Sequence, residues 1–312
     1  MDVQQQAVRP LPRPRPRSAR SILQDERVVG YLFVAPALIL IAVIAFFPIA
    51  QAIWYSLQNY LPTFPQFGSQ FVGLQNYVKV FQDRTFTGSI GWTVLFMVVS
   101  VALEFLLGLI FALVLNQKFP GRGLARAAVL IPWAFPTVIS AIVWRALIWQ
   151  NNTGAMPAIL HFFGLVPASW APLASNGTLI GAMITIDVWK TAPFMALLLL
   201  AGLQVISDDV YEAARVDGAS VWQRFFRITL PLLKPAILVA LLFRTLDAWR
   251  VFDMFNIVAG NNLQSISVYA YNEVVTSAIN FPLGVAASVL IFVGSIIIAF
   301  VFIKGFGTQT AS

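Results

Sequence analysis

The chain has 312 residues, of which 59% are hydrophobic and 11% charged, with a net charge of +7 and no cysteine. Soluble domains are about 45–50% apolar and about 25% charged, so this composition excludes an ordinary water-soluble fold. The missing cysteines exclude disulfides and thiolate metal sites.

A run of about 19 apolar residues crosses a ~30 Å hydrocarbon layer. Six candidates occur, at 30–57, 90–116, 124–149, 178–204, 235–258 and 284–304. The predicted fold class is therefore an all-α integral membrane protein with six transmembrane helices. The opening segment, MDVQQQAVRPLPRPRPRSAR, alternates Pro with Arg and buries too little apolar surface to fold. It reads as part of a disordered basic tail over 1–27, ahead of a six-helix domain at 28–305 and a short tail at 306–312. The first apolar run is too long for a signal peptide and carries Pro36 and Pro48, so it is kept as a span.

Charge between the spans sets the orientation. Fourteen Lys and Arg fall in the N-terminal tail, the second and fourth connections and the C-terminus, against two, Lys79 and Arg84, in the first connection. The positive-inside rule then puts both termini and 205–234 in the cytoplasm, with 150–177 and 259–283 outside. Topology accounts for most of the net charge, and nucleic acid is not expected as a partner.

In chain order, NYVKVFQD at 76–83 reads as an amphipathic helix at the membrane interface. Glu104 and Arg145 stand alone in their spans, pairing across helices or snorkelling, with no site role. IPWAFP at 131–136 places two prolines in the third span, which fits a kink or a packing device. His161 lacks a second ligand, so no metal site is expected. No nucleophile or metal motif occurs, and no catalytic residue is expected.

The fourth span carries IDVWKTAPF. Asp187 and Lys190 lie one turn apart with Trp189 between them, and Pro193 leaves a carbonyl that protein or water must satisfy. The fourth connection opens with Ser207 as an N-cap ahead of Asp208 and Asp209, which suit the positive end of a helix dipole. A short helix, YEAARVD, stops at Gly218, and Pro231 and Pro235 are expected to break the second piece before the next span.

The fifth span ends FRTLDAWRVFD, in which Arg244, Asp247, Arg250 and Asp253 recur every third residue with alternating sign. Each charge costs about 2.5–3.5 kcal/mol at a helix centre, so the stripe faces protein or water. Neighbours at i,i+3 can pair, and over nine residues the stripe turns through about half a revolution. Some members, Arg244 first, are expected to contact neighbouring helices and others to line a cavity. Carboxylates, cations and an aromatic plane suit a sugar, and Asp187, Trp189, Lys190, Asp247 and Arg250 supply them. The competing reading is an ion-pair network that only holds the bundle together.

The sequence Glu212-Ala-Ala-x-x-x-Gly218, followed after nine residues by Ile228-x-Leu230-Pro231, resembles the EAA motif of the membrane subunits of bacterial ATP-binding-cassette importers. FVGLQNYVKVFQD at 71–83 and DVWKTAPFMALLLLAGL at 187–203 resemble the sugar-permease branch holding the first membrane subunit of maltose, trehalose and glycerol-phosphate importers. The resemblance implies an importer-permease fold in the bacterial plasma membrane, with the hairpin at 207–234 as the coupling element. Glu212, Ala213, Ala214 and Gly218, with Asp217 beside the turn, would contact an ATPase. It implies four kinds of partner: a second permease subunit, two copies of a cytoplasmic ATP-binding subunit, a solute-binding protein and the sugar. Substrate contacts of the maltose branch fall at positions matching Asp187, Trp189, Lys190 and Thr191 and around Leu246 and Asp247. Acids at Asp187 and Asp247 replace amides of that pattern, which argues against maltose itself.

None of the five lysines lies in a G-x-x-x-x-G-K-[ST] loop, so ATP and magnesium belong to the partner ATPase and this chain binds no cofactor. Two alternatives remain. One is a phosphorylated polyol such as glycerol phosphate, held by Lys190 and Arg250. The other is an ion-coupled secondary transporter, which would show inverted repeats.

Overall fold

A computed structural model describes residues 26–151, 153–277 and 279–307. The chain divides after Gln51 into two compact units. Most of the tail expected at 1–27 lies outside the described residues. Helix α1 (Glu26–Ile41) starts at its end and runs through a π turn at Ala42–Phe46 into α2 (Phe47–Ser56).

Within the second unit, a two-stranded antiparallel hairpin, β1 (Gln58–Tyr60) and β2 (Ser69–Phe71), pairs Asn59 with Gln70. This hairpin departs from the expected all-helical fold. Its strands are three residues each, too short for an alternating pattern to stand out. Asn76 fastens it by donating to the carbonyls of Ser56 and Gln58 at 2.8 and 2.9 Å. Asn76 opens the amphipathic helix α3 (Gln75–Gln82).

Helix α4 (Arg84–Asn116) starts at Asp83, whose carboxylate caps the Thr85 amide at 2.7 Å and accepts from the Tyr269 hydroxyl at 2.8 Å. Burial pushes this carboxyl up, but the Tyr269 and Thr85 hydrogen bonds outweigh it and hold the group below the usual carboxylate range. The third apolar stretch is split into α5 (Arg122–Ala134) and α6 (Thr137–Val143), the latter extended by a π turn to Ile148. The two pieces meet at 84°, where Pro136 follows Phe135. A further helix, α7 (Ala155–Phe162), lies in the next connection.

Helix α8 (Asn176–Val205) is the axis of the fold, with 72% of its apolar window buried. Its first half joins Phe96, Met254, Phe255 and Val258 in one apolar cluster. Its second half, from Met195 to Leu203, packs with Ala112, Leu115, Leu233 and Ala240 in another. Lipid tails are as apolar as these side chains, so close packing rather than water exclusion holds such helices together. Gly108 provides that closeness: a β-carbon there would lie 2.7 Å from Cγ of Met195.

Helices α9 (Asp208–Val216) and α10 (Val221–Arg224) form the hairpin, and a π turn at Phe225–Thr229 carries α10 into α11 (Leu230–Trp249). The expected break at Pro231 and Pro235 does not occur, and Val221–Trp249 is one helix. The π turn re-registers the backbone just ahead of Pro231, and the Thr229 hydroxyl donates to the Arg224 carbonyl at 3.4 Å. The fifth span was expected to reach 258. The helix ends instead at Trp249, whose indole donates to the Ile291 carbonyl at 2.9 Å.

Helix α12 (Ile266–Tyr271) continues in a π turn and precedes α13 (Phe281–Gly307). Ile266 and Tyr269 are buried against Val80, Phe86, Ala286 and Ala287. Among the described residues five helices have the length and hydropathy of membrane spans, and the bent pair at 122–148 makes a sixth if it crosses once.

Candidate functional site

The site is built where the two apolar clusters of α8 meet. Arg244 on α11 is 4% exposed and donates through Nε and Nη2 to both oxygens of Glu104 on α4, the Nη2 bond being 2.9 Å. Its Nη2 also donates to Asp187 on α8, and its Nη1 to Asp247 one turn further along α11 at 2.7 Å. One guanidinium thus ties three helices together and faces three carboxylates. Among the described residues the ion pairs of this region all run through Arg244.

Beside the knot lies a cavity of about 170 Å³ whose lining includes Asp187, Lys190, Thr191, Arg244, Asp247, Arg250 and Asp253 together with Phe96, Thr137, Phe252 and Met254. Five of the seven residues assigned to a substrate path are therefore brought together, although they come from two helices and a loop. Thr191 is locked by donating to the Asp187 carbonyl at 2.5 Å. Trp189 and Leu246 are not among the lining residues, and Trp189 packs on Trp144 at a ring distance of 5.2 Å.

The four-charge stripe is only partly a helical feature. Arg244 pairs with Asp247 as expected, but the helix ends at Trp249, so the Asp247–Arg250 and Arg250–Asp253 pairs do not form. Arg250 donates its Nε to the Leu246 carbonyl at 3.2 Å. Glu104, expected to pair across helices or snorkel and given no site role, is wholly buried at the centre of the knot and pairs across helices with Arg244. Its signal was present, since a lone acid in an apolar span needs a partner. The other lone charge, Arg145, donates to the Ile257 carbonyl at 2.5 Å. His161 donates from Nδ1 to the Val166 carbonyl, 3.1 Å away, and the described residues hold no cluster of metal-ligating side chains.

At the far end of α11 the hairpin has the cap expected at Ser207 and a second one at Ser220. Ser207 caps α9 and Ser220 forms a capping box with Gln223. Between them Gly218 takes φ +77°, the left-handed conformation that glycine adopts freely. Glu212, Ala213, Asp217 and Gly218 are exposed and Ala214 is buried, and the Tyr211 and Thr229 hydroxyls bridge the two arms at 3.1 Å. Asp208 is held below the usual carboxylate range by the hydrogen bond from Lys118, at 2.9 Å. A concavity of about 360 Å³ opens on the turn, lined by Ala214, Asp217, Gly218, Gln223 and Arg227.

Lipid-suited helices, a charge-lined cavity between them and an exposed hairpin with the EAA pattern define a membrane permease of the importer type. The chain belongs to the family described as binding-protein-dependent transport system inner membrane component, which matches residues 104–307. It is 45% identical over 283 residues to the trehalose/maltose transport system permease protein MalF of Thermococcus litoralis, covering 89% of this chain and 94% of that one. It is 43% identical over 284 residues to the trehalose transport system permease protein SugA of Mycobacterium tuberculosis, covering 90% of each. A chain of a bacterial alginate ABC transporter, solved with a periplasmic protein bound to an alginate pentasaccharide, shares the fold. Its TM-score is 0.75 at 24% identity, over 92% of this chain and 96% of that one.

Proposed function

We propose that this chain is one of two membrane subunits of an ATP-driven importer carrying a trehalose-like sugar. The observation that carries this reading is the gathering of Asp187, Lys190, Thr191, Asp247 and Arg250 around one cavity, offering both acceptors and donors to sugar hydroxyls. At about 170 Å³ the cavity is smaller than the roughly 300–1,000 Å³ of small-molecule sites, which fits half of a path completed by the second permease. The chain has no covalent chemistry of its own. ATP and magnesium bind two copies of an ATPase on the cytoplasmic side, where the exposed hairpin at 207–234 couples to them through Glu212, Ala213, Ala214, Asp217 and Gly218. A solute-binding protein delivers sugar from outside the bacterial inner membrane.

Reconstitution tests this. Proteoliposomes holding the full complex, with ATP enclosed and binding protein outside, should accumulate labelled trehalose. Accumulation driven by an ion gradient without ATP would overturn the importer reading. A phosphorylated polyol is the second reading, favoured by Lys190, which lines the cavity with no carboxylate partner among the described residues. Competition by glycerol phosphate, and none by trehalose, would select it.

The same reading has six crossings with both termini in the cytoplasm. Asn261 and Val216 are exposed, whereas Ser265 is buried as a helix cap. In spheroplasts an impermeant thiol reagent should label Asn261→Cys and leave Val216→Cys unmodified. The opposite pattern would invert the topology.

A further inference from the structure

The geometry points to Glu104 as a positioning residue that sets solute affinity and sugar preference from outside the cavity, acting through Arg244 on Asp187 and Asp247. This inference rests on the cavity being the solute path. Glu104 is wholly buried and absent from the cavity lining, so it touches no solute. What it holds is the plane of a guanidinium.

A carboxylate gripped by two adjacent donors of one fork fixes both the distance and the rotation of that fork. Glu104 takes Nε and one hydrogen of Nη2. The remaining hydrogen of Nη2 goes to Asp187, and Nη1 goes to Asp247. Four of the five guanidinium donors are thereby committed to carboxylates. The two committed outside the fork hold the two acids that line the cavity, so the fork determines where their oxygens stand. The three acids come from α4, α8 and α11, and a change at Glu104 reaches both cavity acids at once.

A purely structural role makes a different prediction. Arg244 faces three carboxylates, a formal excess of two negative charges. Glu104→Gln lowers that excess and keeps the side-chain shape, while Asp187 and Asp247 still neutralise the cation. The variant should therefore fold. Its amide presents N–H groups to one arm of the fork, so only one bond survives and the guanidinium can rotate.

The test uses the reconstituted complex with labelled trehalose and labelled maltose as probes, comparing Glu104→Gln, Asp187→Asn, Asp247→Asn and the double variant Glu104→Gln with Asp187→Asn. Glu104→Gln should match wild type in abundance, take up trehalose about tenfold less well per complex and alter the trehalose-to-maltose ratio. Because Asp187 is one of the two acids through which Glu104 works, the double variant should lose clearly less than the product of the two single losses. A multiplied loss of about a hundredfold, or reduced abundance with normal uptake per complex, would overturn the positioning role. Wild-type uptake and preference in both Asp187→Asn and Asp247→Asn would instead remove the cavity from the solute path, whatever Glu104→Gln does.

Discussion

Replacing Arg244 by Gln is expected to stop the protein from accumulating in the membrane. The substitution removes the one cation paired with Glu104 and Asp187, which are 0% and 6% exposed, and leaves carboxylates crowded in an apolar interior. Breaking a buried pair from one side costs about 3–5 kcal/mol in soluble proteins, a large part of the roughly 5–15 kcal/mol that holds a domain folded. Gel filtration of the detergent-extracted complex would show the loss as a missing peak. Arg244→Lys should recover only part of it, because an ammonium is a point donor and cannot span the Glu104 fork. Neutralising the buried part of the knot with Glu104→Gln, Asp187→Asn and Arg244→Gln together should bring the peak back, since similar shapes are kept and the one charge left without its partner, on Asp247, is exposed. Normal yield of Arg244→Gln by itself would mean that the knot holds nothing together.

The second large effect falls on transport and spares folding. Glu212 is exposed on α9, so Glu212→Lys should change stability by no more than about 0.5 kcal/mol. If this face meets the ATPase, the reversed charge should cut uptake and sugar-stimulated ATP hydrolysis at least about tenfold at unchanged abundance. Gly218→Pro should do the same through the backbone. Proline fixes φ near −65°, whereas the turn needs +77° and the Gly218 amide donates to the Arg215 carbonyl at 3.0 Å. Unimpaired coupled hydrolysis in both variants would detach the hairpin from the ATPase.

Much of this was legible in the sequence for physical reasons. A bilayer demands long apolar runs, and Arg244 could not face lipid, so its pairing toward neighbouring helices followed from cost alone. Ser207 and Gly218 marked the hairpin because a helix start needs a capping acceptor and a tight helical turn a residue free at positive φ, whereas the EAA pattern spoke only through family resemblance. The partner of Arg244 was hidden, since Glu104 lies 140 residues away and no periodicity connects them. The helix end at Trp249 was hidden too, because apolar residues continue past it to Ala259 and hydropathy cannot separate a span from a buried loop. Pro231 misled in the opposite direction. A π turn absorbed the backbone bonds that proline disrupts, and local sequence carries little sign of that.

The unbroken helix from Val221 to Trp249 makes the hairpin and Arg244 two points on one lever. Twenty-three residues at 1.5 Å each put about 35 Å between Val221 and Arg244. Swung about its hairpin end by only 5°, such an arm carries the guanidinium about 3 Å sideways, roughly the whole length of the hydrogen bonds it makes. A small stroke at the hairpin would thus suffice to part the guanidinium from its carboxylates, along a path that runs through the π turn at Phe225–Thr229 and past Pro235.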